Sequence, residues 1–427
     1  MKKWLPVLCF LASIAMPAQQ DSVTAELPGK PFYLKQSWTI GGEGNWDYMA
    51  MDSAALKLYV AHGTAVQVVD VSTGTLAGEI SGMAEAHGIA LDDTGEFGYV
   101  SDGPASQVKV FDRQSLNVIA SLPTGPNPRA IVFEPQNQLV LAISSNPQPL
   151  NPNPANPSPA KPNPANPNPA RTGARGSNRG DIKSAVTVID VQQRAVIATI
   201  LLPGRLGFAQ VGGRGRVYIN LPDHNQIVSI DAGQIQSAIR EAKPEAKPDA
   251  KPSSARPGVL LDWSKLPRTT GSPSDRLRFL PTGPECRDPR GLAVDPDNLR
   301  LFVACGNMRM AVVNANTGDE VAYLPIGPGT DSIGYDAARN LIYTANGGAQ
   351  GTVTIIRQSV TDTYAVIQNL PTRRRARTLA VNSATGDVYL VTDVRGVSVD
   401  QAGGAGGIGT LRGAPIPGSF QVLVIGN

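Results

Sequence analysis

One pattern returns along this chain about every 40 residues, and few folds accommodate it. Short apolar segments led by a polar residue recur as Trp46-Asp47-Tyr48-Met49-Ala50-Met51-Asp52, Ala86-His87-Gly88-Ile89-Ala90-Leu91-Asp92, Pro289-Arg290-Gly291-Leu292-Ala293-Val294-Asp295 and Thr330-Asp331-Ser332-Ile333-Gly334-Tyr335-Asp336. Pro128-Arg129-Ala130-Ile131-Val132-Phe133, Ala376-Arg377-Thr378-Leu379-Ala380-Val381-Asn382 and a weaker copy, Leu206-Gly207-Phe208-Ala209-Gln210-Val211, complete a set of seven. A second marker, an aromatic residue or Leu opening an apolar stretch, keeps the same register at Tyr59, Tyr99, Leu141, Tyr218, Phe302, Tyr343 and Tyr389. Two independent markers do not share a register by accident.

Each copy continues with an alternating run such as Val66-Gln67-Val68-Val69-Asp70, a Gly-centred turn such as Ser72-Thr73-Gly74, and a further strand. Period-two alternation broken by such turns specifies antiparallel strands. Four strands in each repeat is the blade of a β-propeller. The expected fold class is therefore all-β, a seven-bladed β-propeller of about 40-residue blades. The seventh copy ends after three strands, while an unassigned strand at residues 32–40 precedes the first copy. The N-terminal strand is expected to complete the last blade, which removes two open sheet edges.

The propeller should occupy residues 32–427, with three interruptions. Residues 146–180 carry Asn-Pro-Asn-Pro-Ala repeats, and residues 234–275 carry Ala-Lys-Pro repeats. Both read as extended, Pro-stiffened or disordered loops, because Pro removes backbone donors. A Gly-rich loop spans residues 396–418. The first and third of these fall between second and third strands, so both should leave from one face of the disc. The second follows a third strand and should leave from the other face.

The N-terminus has the form of an export signal over residues 1–18: Lys2 and Lys3, an apolar stretch from Trp4 to Met16, then Met16-Pro17-Ala18. The expected location is periplasmic or extracellular, and no later apolar run is long enough to span a membrane. With 41 % hydrophobic residues the chain is too apolar to be disordered, and a net charge of +3 selects no class of partner. Cys286 and Cys305 flank one inner strand and should lie at the same end of blade five. A disulfide suits an exported protein. Free thiols and metal ligation are the alternatives.

Inner strands begin on one face of the disc and second strands return to it. The same channel mouth should therefore be ringed by Asp47, His87, Arg129, Gly207, Arg290, Asp331 and Arg377, and by His62, Asp102, Ser144, Leu221, Cys305, Asn346 and Thr392. Asp47, His62, His87 and Asp102 have the chemistry of a divalent-metal shell. No dense ligand motif such as HExxH supports a metal, so a hydrogen-bonded polar rim is preferred, with no metal and no cofactor expected. Arg129, Arg205, Arg287, Arg290, Arg373, Arg374, Arg375 and Arg377 make this face basic, either to grip carboxylates and phosphates or to pair with Asp47, Asp288 and Asp331. Gly404-Ala405-Gly406-Gly407-Ile408-Gly409 fits GxGxxG but lacks the strand-turn-helix context of a dinucleotide site.

The phrases Lys57-Leu58-Tyr59-Val60-Ala61-His62-Gly63 and Val68-Val69-Asp70 with Thr73-Gly74 resemble the YVTN-type, YncE-like seven-bladed propellers. The resemblance runs through residues 32–425 and includes Ala86-His87-Gly88-Ile89-Ala90, Cys286 with Cys305, and Pro417-Gly418-Ser419-Phe420. It implies an exported protein without established catalytic residues. One bacterial relative is associated with DNA binding, and the wider superfamily includes lactonases. The chain departs from that family in its two Pro-rich insertions and in Arg129, where an acidic residue is more usual.

The expected function is a monomeric, non-catalytic binding protein. Its ligand or protein partner, small and anionic if a small molecule, would meet Asp47, His62, His87, Asp102, Arg129, Arg290, Asp331, Asn346 and Arg377. The rival readings are a lactonase-like hydrolase, with His87 or His62 as base and Arg129 or Arg290 at the oxyanion, and single-stranded nucleic-acid binding.

Overall fold

In a computed structural model the repeat unit becomes a four-stranded antiparallel sheet, and seven sheets form, six of four strands and one with a fifth strand added. The structure describes residues 30–145, 183–242, 259–262, 277–348, 350–360, 362–396 and 414–427. The export segment at 1–18, the Asn/Pro repeats at 146–180 and most of the insertions at 234–275 and 396–418 lie outside the described residues. The chain divides into two units, Met1–Lys30 and Pro31–Asn427. The second is the propeller.

Side-chain chemistry sets both turns of a blade. The inner strand ends on an acid or amide whose side chain accepts the backbone N–H groups of the next turn. Asp52 does so for Ala54 and Ala55, Glu134 for Gln136 and Asn137, and Asp295 for Asp297 and Asn298. The third strand ends the same way, with Asp70 capping Ser72 and Asp112 capping Gln114 and Ser115. Such Asx turns reverse the chain with its donors satisfied. Between the turns, the second-strand aromatics Tyr59, Tyr99, Phe302, Tyr343 and Tyr389 are fully buried in the seams between blades. One seam packs Tyr59, Val66 and Val68 against Ile89, Val100 and Phe111. Burying each such side chain contributes about 1.5–3 kcal/mol, so the ring is held by repeated seams and has no single central core.

The ring closes as the sequence predicts. Strand Tyr33–Thr39 pairs antiparallel with Gln421–Gly426, from Tyr33 opposite Gly426 to Thr39 opposite Gln421. Phe32 is buried and meets Tyr343 edge-on at 5.8 Å. Gln368 of blade six clamps the Phe32 backbone, accepting its N–H at 2.9 Å and donating to its carbonyl at 2.8 Å. The first strand thus joins blade seven to blade six as well as completing blade seven.

The insertion at 234–275 is not simply extended. Its start belongs to a helix, Ala232–Glu241, whose N-cap Asp231 accepts from the Gln234 N–H at 2.9 Å. The helix buries Ala232, Ile235 and Ala238 on one face, and Gln236 donates to the Asn137 carbonyl on the face opposite the mouth. Further on, Val259–Asp262 adds a fifth strand to blade three, parallel to Ala195–Pro203. Among the described residues no helix is long and apolar enough to cross a membrane.

Cys286 and Cys305 form a disulfide, both buried at the head of blade five. The crosslink spans 19 residues, and closing a loop of that size constrains the unfolded chain by roughly 3 kcal/mol. Reduction, or Cys286→Ser with Cys305→Ser, should lower Tm without changing the native far-UV CD spectrum. An unchanged Tm would show that the bond adds nothing to the fold.

Candidate ligand site at the channel mouth

Bulges build the mouth. In blade one, Trp46 pairs with His62 and the next paired residue is Met49, which leaves Asp47 and Tyr48 out of the ladder. Blade two repeats this with Ala86 and Ile89, leaving His87 and Gly88 out. Blades three, five and six omit one residue each: Arg129, Arg290 and Asp331. A bulge re-aims the side chain it frees. An inner strand has an open edge only toward the channel, so the freed side chains gather there. Arg377 and Gly207 occupy the corresponding places just before strands Leu379–Val381 and Ala209–Val211.

Six of the nine residues expected at the site come together as two ion-paired groups. Asp47 accepts from the His87 Nδ1 at 2.8 Å and from the Arg129 Nη2 at 3.0 Å. Asp331 bridges Arg290 (Nη1, 3.4 Å) and Arg377 (Nε, 3.2 Å). Arg290 also holds Asp288 through both Nε and Nη2 at 2.9 Å. The Arg129, Arg377 and Arg290 side chains keep 49 %, 45 % and 38 % of their surface in solvent. Arg205, Arg287, Arg373 and Arg374 are exposed and make no ion pair among the described residues.

The other three are buried in the packing within blades or at a seam between them. His62 is buried, stacks on Phe420 at 3.8 Å and shares a 2.9 Å hydrogen bond with Gln67. Asp102 is buried and accepts the backbone N–H groups of Ala84 and Glu85. Asn346 is buried, bonded to Thr330, Thr344, Thr352 and Thr354. Each ends a second strand, as the topology requires, but a second strand has neighbours on both sides and its last side chain is covered. In this structure the three side chains are covered and bonded to their surroundings, unlike the six that gather at the mouth. Burial also separates the four residues considered for a metal, and among the described residues no His, Cys, Asp and Glu cluster is arranged to hold one.

Burial holds the His62 imidazole below its ordinary pKa, against the opposing hydrogen bond to Gln67. The neutral ring is the native form. Stability from this residue is present above the unfolded value of 6.5 and is lost as pH falls through the depressed native value. We expect Tm to drop between pH 7.5 and 5.5, and His62→Gln to shrink that step. An equal step in both proteins would remove His62 as its source.

Tyr48, which the sequence did not single out, forms the floor of the mouth. It projects from blade one and meets Phe208 of blade four at 5.1 Å between ring centres. Burial first, then Asp47 and Asp331, raise its phenol well above the ordinary value, while Arg129 and Arg377 pull the other way. All four charged groups therefore act on one phenol. Along the channel beyond this floor lies a cavity of about 250 Å³, lined by inner-strand residues such as Ile89, Ala90, Ile131 and Val211.

Two further contacts fix the arginines. Ser101 Oγ donates to the Arg129 carbonyl at 2.9 Å, and Asn220 Nδ2 donates to the Arg290 carbonyl at 2.9 Å. Both partners are buried in the preceding blade, so each Arg-bearing bulge is pinned across a seam. Arg375 is placed differently from Arg377. It lies over the Trp46 ring at 4.6 Å and 3.6 Å from Asp393, whose carboxyl burial raises above the usual range.

The fold is similar to that of two solved structures. That of U3-55K is 8 % identical over 92 % of this chain and 98 % of that one, with a TM-score of 0.58. The crystal structure of the RRP9 WD40 repeats is 8 % identical over 92 % of this chain and 97 % of that one, with a TM-score of 0.59. The likeness establishes a seven-bladed propeller and extends no further. No protein-family model and no curated protein matches the chain.

Proposed function

We propose that this protein is an exported, non-catalytic β-propeller that binds an anionic ligand at the mouth of its channel. The observation that carries the reading is the set of three half-exposed guanidinium groups, Arg129, Arg290 and Arg377, on a rigid rim around Tyr48. Guanidinium groups match carboxylates and phosphates in charge and geometry. The exposed Arg205, Arg287, Arg373 and Arg374, which make no ion pair among the described residues, add positive potential outside them. Export is supported by the leader pattern at 1–18 and by the Cys286–Cys305 bond, which suits an oxidising compartment. The YVTN-type motifs support kinship with that family of exported propellers.

His87 has the Asp47 partner that a general base would need. Its other nitrogen, however, faces the loop wall: a Cβ on Gly103 would sit 2.6 Å from Nε2, and the side chain is only 3 % exposed. A base must reach the proton it removes. The arrangement therefore favours binding over hydrolysis. It also offers nucleic acid little to stack on, since Trp46 and Phe420 are buried and Tyr48 packs edge-on against Phe208.

Titration with sulfate, uronic acids and short single-stranded oligonucleotides at low and high salt tests the reading. Small anions should bind at low salt and weaken as salt rises. Absence of binding by any anion at low salt would overturn it.

A further inference from the structure

We propose that the mouth is built for a ligand with two carboxylates, one gripped by Arg129 and the other by Arg377, spanning the Tyr48 hydroxyl. This rests on the anion-site reading and narrows it.

The three rim arginines are not equivalent. Arg290 spends Nε and Nη2 on Asp288 and Nη1 on Asp331, so its fork is occupied. Arg129 spends only Nη2, on Asp47, and Arg377 spends only Nε, on Asp331. A guanidinium has five N–H donors, so each of these two keeps most of its fork for a planar carboxylate. They are also the two most exposed of the three.

Tyr48 links them. Tyr48 shares its bulge with Asp47, so it stands beside the Asp47–Arg129 arm, and its blade packs directly on blade seven, which carries Arg377. Its hydroxyl makes no hydrogen bond among the described residues, whereas the ring is fixed against Phe208. A phenol is protonated at neutral pH, so this hydroxyl has a proton to donate to a ligand at the mouth. Asp47 and Asp331 hold the arginines in place and offset their charge. A single carboxylate engages one arm, while a second carboxylate on the same molecule engages the other at high effective concentration.

The test is calorimetric titration of the full chain at low salt with succinate and glutarate, against propionate and butyrate. The dicarboxylates should bind at least tenfold more tightly, an increment of about 1.4 kcal/mol. Arg129→Gln and Arg377→Gln should each abolish that preference, and Tyr48→Phe, which removes only the hydroxyl, should weaken dicarboxylate binding severalfold. Equal affinity for both classes, or a preference that survives either Arg substitution, would overturn the bridging inference while leaving an anion site. Failure of both classes to bind would overturn the anion-site reading too.

Discussion

Deleting residues 32–40 is expected to leave a protein that aggregates or melts far below the parent. The strand Tyr33–Thr39 covers Gln421–Gly426, whose Val422, Leu423, Val424 and Ile425 are buried. Without it blade seven ends on an apolar, unpaired edge, a template for association with other chains. Phe32 goes with the deletion, and truncating one buried Phe costs about 3–5 kcal/mol. The Gln368 clamp would also be lost, leaving an amide of blade six without its two partners. Phe32→Ala separates packing from closure. It should lower Tm yet stay monomeric, because the ladder to Gln421–Gly426 remains. A deletion variant with the parent's Tm and solubility would mean that the ring does not depend on this strand.

The second large effect concerns two arginines that sit two residues apart and should behave oppositely. Arg375→Ser should destabilise the fold by about 1–3 kcal/mol. Asp393 is only 7 % exposed, and among the described residues its Oδ1 makes no hydrogen bond and its arginine partners are Arg375 and Arg395. Removing Arg375 takes away a charge from a nearly buried carboxylate and uncovers the Trp46 face, where a cation–π contact contributes about 0.5–1 kcal/mol. Arg377→Ser should leave Tm within about 0.5 kcal/mol of the parent, as is usual for an exposed side chain, and weaken anion binding instead. Reading the two as one solvated basic patch predicts no difference in Tm. Chemical denaturation of both variants, with anion titration alongside, decides between these.

Much of the fold was legible because its physics is local and repeated. Alternation, Gly turns and the terminal acids of inner and third strands specify a blade, and seven copies with one strand left over specify the closure. The helix Ala232–Glu241 was hidden by the Pro-rich stretch after it, although Asp231 with Ile235 and Ala238 is a helix signal. The parallel fifth strand, Val259–Asp262, depends on tertiary pairing that no local pattern encodes.

At the mouth, Asp47, His87, Arg129, Arg290, Asp331 and Arg377 were visible because a polar residue heads every inner strand except that of blade four, where Gly207 stands. The bulges that project them were not, since a bulge is a property of the register between two strands. His62, Asp102 and Asn346 were placed at the mouth by topology alone, which says where a strand ends and not which neighbours cover it. Tyr48 had a signal. In the column after the rim residue, Gly88, Ala130, Gly291, Ser332 and Thr378 are small, and only Tyr48 and Phe208 are large. Those two rings meet across the channel.

If the rim arginines hold anions at this mouth, as proposed, a bound anion can be located there directly. The most direct measurement is a crystal structure of the full chain soaked in selenate at low salt, with anomalous diffraction locating the selenium. A peak is expected over Tyr48, within hydrogen-bonding distance of Arg129 or Arg377, and should be lost in the Arg129→Gln, Arg377→Gln double variant. Selenium peaks confined to the outer surface of the blades, with none at the mouth, would contradict the proposal.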